Sequence, residues 1–170
     1  YTQVAKDLVL RPSAEFGFLG AYNNDRGVIP FERFFVGGDG LGSYSLDGRE
    51  AIALRGYPNQ SLQPENDNGT VSNDGGTIYN KFSLELRYPI TLKQSAKIYV
   101  LGFLEGGVSY NDFKDYNPFN LKRSAGLGLR IFMPAFGLLG IDFGHGFDPI
   151  PGQGNQKSGW ETHFIIGQQF

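Results

Sequence analysis

Period-two hydropathy is the feature that most restricts this chain. From Asp7 to Tyr22 one parity reads Leu8, Leu10, Pro12, Ala14, Phe16, Phe18, Gly20, Tyr22. The other reads Asp7, Val9, Arg11, Ser13, Glu15, Gly17, Leu19. From Lys81 to Tyr88, Phe82, Leu84, Leu86 and Tyr88 oppose Lys81, Ser83, Glu85 and Arg87. The same pattern recurs over Ile98–Tyr110, Leu121–Phe132, Leu138–Phe147 and Trp160–Phe170. Strict alternation predicts strands with two chemically different faces, six in all. Nearly every charge inside the runs falls on the polar parity. Arg123 is the exception, at a strand end.

Alternation alone fits a soluble sandwich or a lipocalin-like barrel, with the apolar parity in a core. Four features favour a transmembrane barrel instead. The runs reach about 9–11 residues or more, enough for a tilted strand to cross a bilayer. The connections alternate long and short: 23–78, 89–97, 111–120, Met133–Gly137, 148–159. Short turns on one side and long loops on the other are the asymmetry of outer-membrane barrels. Aromatics gather at run ends (Tyr22, Tyr88, Tyr110, Phe132, Phe147, Trp160, Phe170), as interfacial girdles do. The polar parity is also rich in Gly, which suits a crowded lumen better than a water-facing strand. The expectation is therefore an all-β, antiparallel transmembrane barrel in the outer membrane.

Composition narrows the function classes. A net charge of −2 offers no electrostatic footprint for nucleic acid. With no Cys, disulfide scaffolds and thiolate metal sites are excluded. No 18-residue apolar run exists, which excludes a transmembrane helix but not a barrel. Tyr1 to Lys6 contain neither an initiating Met nor an apolar leader segment, so the start reads as mid-protein and the chain as a fragment. Six antiparallel strands cannot close a transmembrane barrel, whose smallest examples have about eight. Open edges are not tolerated in lipid, so further strands are expected.

Few residues suggest chemistry. Gly37–Gly42 does not match a dinucleotide fingerprint and reads as a tight loop. Glu65-Asn66-Asp67-Asn68-Gly69 has calcium-binding residue types but lacks the twelve-residue ligand spacing of an EF-hand. His145 and His163 lack metal-ligand spacing. Ser124, His163 and Asp142 share the polar parity, but nothing separates them from ordinary lumen residues. The lumen is expected to be a mixed polar surface of Arg11, Glu15, Glu85, Arg87, Glu105, Lys122, Arg130 and Asp142. No catalytic residue, metal or cofactor is expected.

The long loop carries the sharpest signal. It contains Phe31-Glu32-Arg33-Phe34-Phe35-Val36-Gly37-Gly38 and then Leu54-Arg55-Gly56-Tyr57. Further segments are Leu84-Glu85-Leu86-Arg87-Tyr88-Pro89, Phe103-Leu104-Glu105-Gly106-Gly107 and Arg123–Gly128. Together, in this order, they resemble the C-terminal barrel of the BamA family of outer-membrane assembly factors, within the bacterial surface antigen superfamily. The resemblance covers essentially the whole chain. It implies that residues 1–170 are the last six strands of a larger, 16-stranded barrel, with a loop at about 23–78 folded inward. It implies that Arg55 of the Leu54-Arg55-Gly56-Tyr57 motif contacts carboxylates at Glu85 and Glu105, the second being Glu where Asp is more usual. A forked guanidinium suits such bridging. It implies that the terminal strand, with Phe164, Ile166, Gly167 and Phe170, is both a targeting signal and one side of a lateral gate. The implied partners are nascent outer-membrane proteins, N-terminal barrel strands and periplasmic domains, accessory lipoproteins and the bilayer. The implied activity is insertion of β-barrel proteins, or, in the same superfamily, translocation of a passenger.

Overall fold

The fold was analysed in a computed structural model, which describes residues 2–21, 28, 32–40, 50–66, 68–93, 96–134 and 137–167. Tyr22, Phe31, Leu41–Tyr44, Asp67 and Phe170 lie outside the described residues. The described residues form one long antiparallel sheet and one short parallel pair, with no α-helix. In chain order the strands are β1 (Thr2–Ala5), β2 (Leu8–Phe18), β3 (Phe34–Val36), β4 (Glu50–Ile52), β5 (Ile78–Lys93), β6 (Ala96–Tyr110), β7 (Lys122–Met133), β8 (Gly137–Pro149) and β9 (Lys157–Gly167). The sheet order is β1-β2-β5-β6-β7-β8-β9. Apart from β1, its strands run 11 to 16 residues, long enough to cross a bilayer at a tilt.

Two expectations are corrected. The sheet has seven strands rather than six, because Thr2–Ala5 pairs with the start of β2. That strand is short and exposed throughout, so no buried face imposes alternation on it. Residues 89–97 are not a connection either. β5 continues through Pro89 to Lys93, and β6 begins at Ala96. The ladder slips by one residue between Pro89 and Thr91, and this bulge accommodates a residue with no N–H to donate.

The faces of the sheet are inverted relative to a soluble protein. The apolar parity is exposed: Phe16, Phe18, Leu84, Leu86, Ile90, Leu92, Leu104, Leu127, Phe164 and Ile166 all face outward. The polar parity is buried: Lys81, Ser83, Glu85, Glu105, Ser124, Arg130, Asp142 and His163. A soluble sandwich would bury the first set. Burying charges while exposing Leu and Phe is stable only where the outer solvent is hydrocarbon and the inner face supplies partners.

The polar face is covered by the long segment between β2 and β5. Its centre is the parallel pair β3–β4, in register from Phe34↔Glu50 to Val36↔Ile52. Phe34, Val36, Ile52, Leu54, Tyr57 and Leu62 pack there with Tyr79 of β5 and Ile150. The Phe34 and Tyr79 rings meet edge to face, 4.7 Å between centres. Each such side chain taken from water contributes roughly 1.5–3 kcal/mol, enough in sum to hold a long segment against a polar wall. The two loop motifs form one hydrogen-bonded unit. Gly37 N–H donates to Ile52 O, and Gly38 and Leu54 exchange N–H···O bonds of 3.1 and 3.0 Å. Gly37 and Gly38 have positive φ, 120° and 83°, which this turn requires.

Candidate functional site

The Leu54-Arg55-Gly56-Tyr57 segment presses its tip onto the polar face, and all four residues are buried. Leu54 anchors the apolar side of the tip. A side chain at Gly107 of β6 would meet it, so Gly107 leaves the space that Leu54 fills.

Arg55 is the hub. Its Nη2 donates to Glu85 Oε1 at 2.8 Å, its Nε to Glu105 Oε1 at 3.1 Å and its Nη1 to Asp142 Oδ2 at 3.1 Å. Its backbone N–H also donates to Glu105 Oε2 at 2.9 Å. Three strands, β5, β6 and β8, are thus tied to one loop residue. The guanidinium carbon lies 3.9 Å from the centre of the Phe103 ring, a cation–π contact in a desolvated setting. Burial alone would lower the Arg55 pKa. The carboxylates of Glu105, then Glu85 and Asp142, outweigh it and raise it further above an already basic value.

The carboxylates are held in turn. Arg87 Nε donates to Glu85 Oε2 at 2.9 Å, and Arg11 approaches the same oxygen at 3.6 Å. Ser83 donates to Glu105 at 3.1 Å. Arg130 grips both oxygens of Asp142, with Nη2 2.7 Å from Oδ2. Arg130 sits opposite Gly140 and Asp142 opposite Gly128. A Cβ at Gly140 would meet the Arg130 side chain, and one at Gly128 would meet Asp142. The two glycines therefore leave the width needed for this diagonal pair, which accounts for part of the Gly-rich polar parity.

Gly56 is fitted against bare backbone. Its φ is +86°, and a Cβ there would lie 3.0 Å from the His145 carbonyl carbon and 3.1 Å from Gly146 N. A Cβ at Gly144 of β8 would lie 2.6 Å from Gly56 N. The Gly56 N–H donates to His163 Nε2 at 2.8 Å, so this imidazole is neutral with its proton on Nδ1. Tyr57, fully buried, donates its hydroxyl to Arg123 O at 2.8 Å and accepts from Asp148 N–H at 3.3 Å. Its phenol is pushed up to about 12, mainly by burial.

The structure thus brings Leu54, Arg55, Gly56, Tyr57, Glu85 and Glu105 together. It adds Asp142, Arg130, Phe103 and His163, which sequence reasoning did not assign to the loop seat. The signal for Asp142 and Arg130 was their polar parity, and their stagger across strands was not readable. Ser124, His163 and Asp142 do not form a hydrolytic relay. His163 Nε2 already accepts from Gly56, and Asp142 is engaged by two arginines. His145 faces outward between the rings of Phe147 and Trp160, away from His163. Among the described residues, no cluster of three or more His, Cys, Asp or Glu could hold a metal.

Phe164, Ile166 and Gly167 lie elsewhere, on β9. Phe164 and Ile166 are 58 % and 65 % exposed on the outward face. Among the described residues β9 pairs with β8 and stands at one end of the sheet order. Arg123, the exception on the apolar parity, forms an ion pair with Asp148 at the loop end of the sheet, 2.8 Å apart.

No curated protein sequence matches this chain. The family model described as the Omp85 superfamily domain matches residues 1–170, the whole chain. An all-β antiparallel sheet without helices among the described residues is consistent with part of such a barrel, and the chain belongs to the Omp85 superfamily of outer-membrane insertion and translocation barrels.

Proposed function

We propose that this chain is the C-terminal part of the barrel of a BamA-type insertase, which folds β-barrel proteins into the bacterial outer membrane. The observation that supports the reading is the seating of Arg55 on Glu85 and Glu105, the two acidic positions the family resemblance implies; translocators of the superfamily share the motif, and the experiment below separates the two. Residues 1–170 would supply the last strands of a larger, 16-stranded barrel whose first strands meet the edge of β9. Parting of that seam would expose an edge to template an incoming strand by backbone pairing, with no covalent chemistry. Phe164, Ile166 and Gly167 would form the gate side of the seam, with Phe170 just beyond. Gly167 has nothing within 4 Å of where a side chain would begin, and leaves β9 free to bend there.

The loop seat would keep the lumen plugged and the wall of β5, β6 and β8 rigid while the seam moves. Nascent barrels, the bilayer, periplasmic domains and accessory lipoproteins are the partners this reading implies. The experiment is depletion of the full-length protein in cells, followed by quantification of the outer-membrane proteome. A general fall in unrelated barrels, with unfolded precursors in the periplasm, is expected. Loss of a single secreted passenger with other barrels unchanged would reassign the chain to a translocator of the same superfamily.

A further inference from the structure

Two long connections leave the sheet at the same end, after β2 and after β6, and they fold to opposite sides. The first enters the polar face. Residues 111–121 turn the other way. Asn80 of β5 is on the outward, apolar parity, yet it is fully buried, and its Nδ2 donates to Pro118 O at 3.3 Å. Its cross-strand neighbour Val108, on the same face, is also buried. Tyr110, again on that parity, donates its hydroxyl to Asn117 O at 3.0 Å. The Phe113 ring lies 6.2 Å from that of Phe18, on the outward parity of β2.

The segment is built as successive tight turns. Asp115, Tyr116 and Asn120 N–H donate to the carbonyls of Asp112, Phe113 and Asn117. The side-chain oxygens of Asp112 and Asn117 cap the turns by accepting from Lys114 and Phe119 N–H. Aromatic residues recur at every third position, Phe113, Tyr116 and Phe119. Phe113 and Phe119 are 63 % and 89 % exposed although hydrogen-bonded turns hold the segment.

The outward apolar ladder of β5 runs Phe82, Leu84, Leu86, Tyr88, Ile90, Leu92, all exposed. At about 3.3 Å per residue this is roughly 33 Å of strand. Tilted by about 45°, it spans about 23 Å, close to the apolar band of about 25 Å in such barrels. Asn80, under the loop, is one outward position beyond that band. We propose that residues 111–121 form an aromatic foot that lies in the interfacial zone of the bilayer, with Phe113 and Phe119 among lipid headgroups and upper acyl carbons. Girdles of aromatic residues occupy this zone in transmembrane barrels, and Asp112, Lys114 and Asp115 can stay in its hydrated part. The partner is the lipid surface itself. The inference requires only that the sheet spans a membrane; it does not depend on the insertase reading.

The test is site-directed spin labelling of the full-length protein in phosphatidylethanolamine–phosphatidylglycerol liposomes. This chain contains no Cys, so Phe119→Cys introduces the label within it. Collision with oxygen, which partitions into lipid, is compared with collision with a water-soluble nickel chelate. The reference is a label at Asn68→Cys, exposed on the other loop. The expected oxygen-to-nickel ratio at 119 is several-fold above that at 68. An equal ratio would place the loop in water and overturn the proposal. Shielding from both reagents would show a protein cover and overturn it too. Phe113→Cys gives an independent reading should the first variant fail to fold.

Discussion

The guanidinium of Arg55 sits 3.9 Å from the centre of the Phe103 ring while its N–H groups reach Glu85, Glu105 and Asp142. One side chain thus joins a loop to three strands by a charge, a fork of donors and a flat face. Lysine offers only the charge. Arg55→Ala should cost roughly 3–5 kcal/mol because Glu105 is left buried without a cation, while Glu85 keeps Arg87 and Asp142 keeps Arg130; Arg55→Lys should restore only part of this, since one ammonium cannot reach all three carboxylates. Heat-modifiable gel mobility of the full-length barrel, with growth complementation, checks this. Near-normal behaviour of the lysine variant would reduce the site to simple charge balance.

The parity of the long runs was legible in the sequence because lipid on one side and a polar lumen on the other penalise every misplaced residue. Thr2–Ala5 was not, since an exposed edge strand is under no such penalty. The continuation of β5 past Pro89 was hidden because proline normally ends a strand, and a bulge is not visible in hydropathy. The loop motif and its first two carboxylates were legible through family resemblance. Asp142 and His163 were not assigned to the seat, because their partners Arg55 and Gly56 lie 87 and 107 residues away in sequence.

Asp142 is gripped by Arg130 while it holds Arg55, so Asp142 and Arg130 should be energetically coupled. Asp142→Asn and Arg130→Gln are expected to be less than additive, with a coupling of about 1–3 kcal/mol. A double-mutant cycle on thermal unfolding of the barrel measures it. Strict additivity would mean that Arg130 merely fills space beside Gly140.

Tyr57 supplies a pH-dependent prediction. Its phenol, raised from 10.0 to about 12 mainly by burial, must stay protonated to donate to Arg123 O. A raised folded-state pKa favours the protonated fold, so the advantage of Tyr57 over Tyr57→Phe is complete below pH 10. It should fade as pH climbs towards 12. Below that window the variant should lose about 1 kcal/mol, the scale of one buried hydrogen bond. Comparing wild type and variant at each pH cancels the titration of the other tyrosines. A constant difference up to pH 12 would mean that the fold does not hold the phenol protonated beyond its ordinary range.

Glycines on the two faces of the sheet should respond oppositely to the same substitution. Gly144 of β8 faces inward, and a methyl there would lie 2.6 Å from Gly56 N, against backbone that cannot swing aside. Gly102 of β6 faces outward, where the nearest atom, Leu127 Cδ2, is 3.7 Å away. Gly144→Ala should lift the loop tip, stretching the Gly56–His163 and Arg55–Glu105 bonds together and costing about 1–3 kcal/mol, typical of overpacking. Gly102→Ala only adds apolar surface facing lipid and should be neutral or slightly stabilising, since alanine restricts the unfolded chain more than glycine does. Limited proteolysis separates the cases. Cleavage between residues 50 and 66 should accelerate in Gly144→Ala and stay at the wild-type rate in Gly102→Ala. Equal resistance in both would show that the loop tip does not depend on close contact with β8.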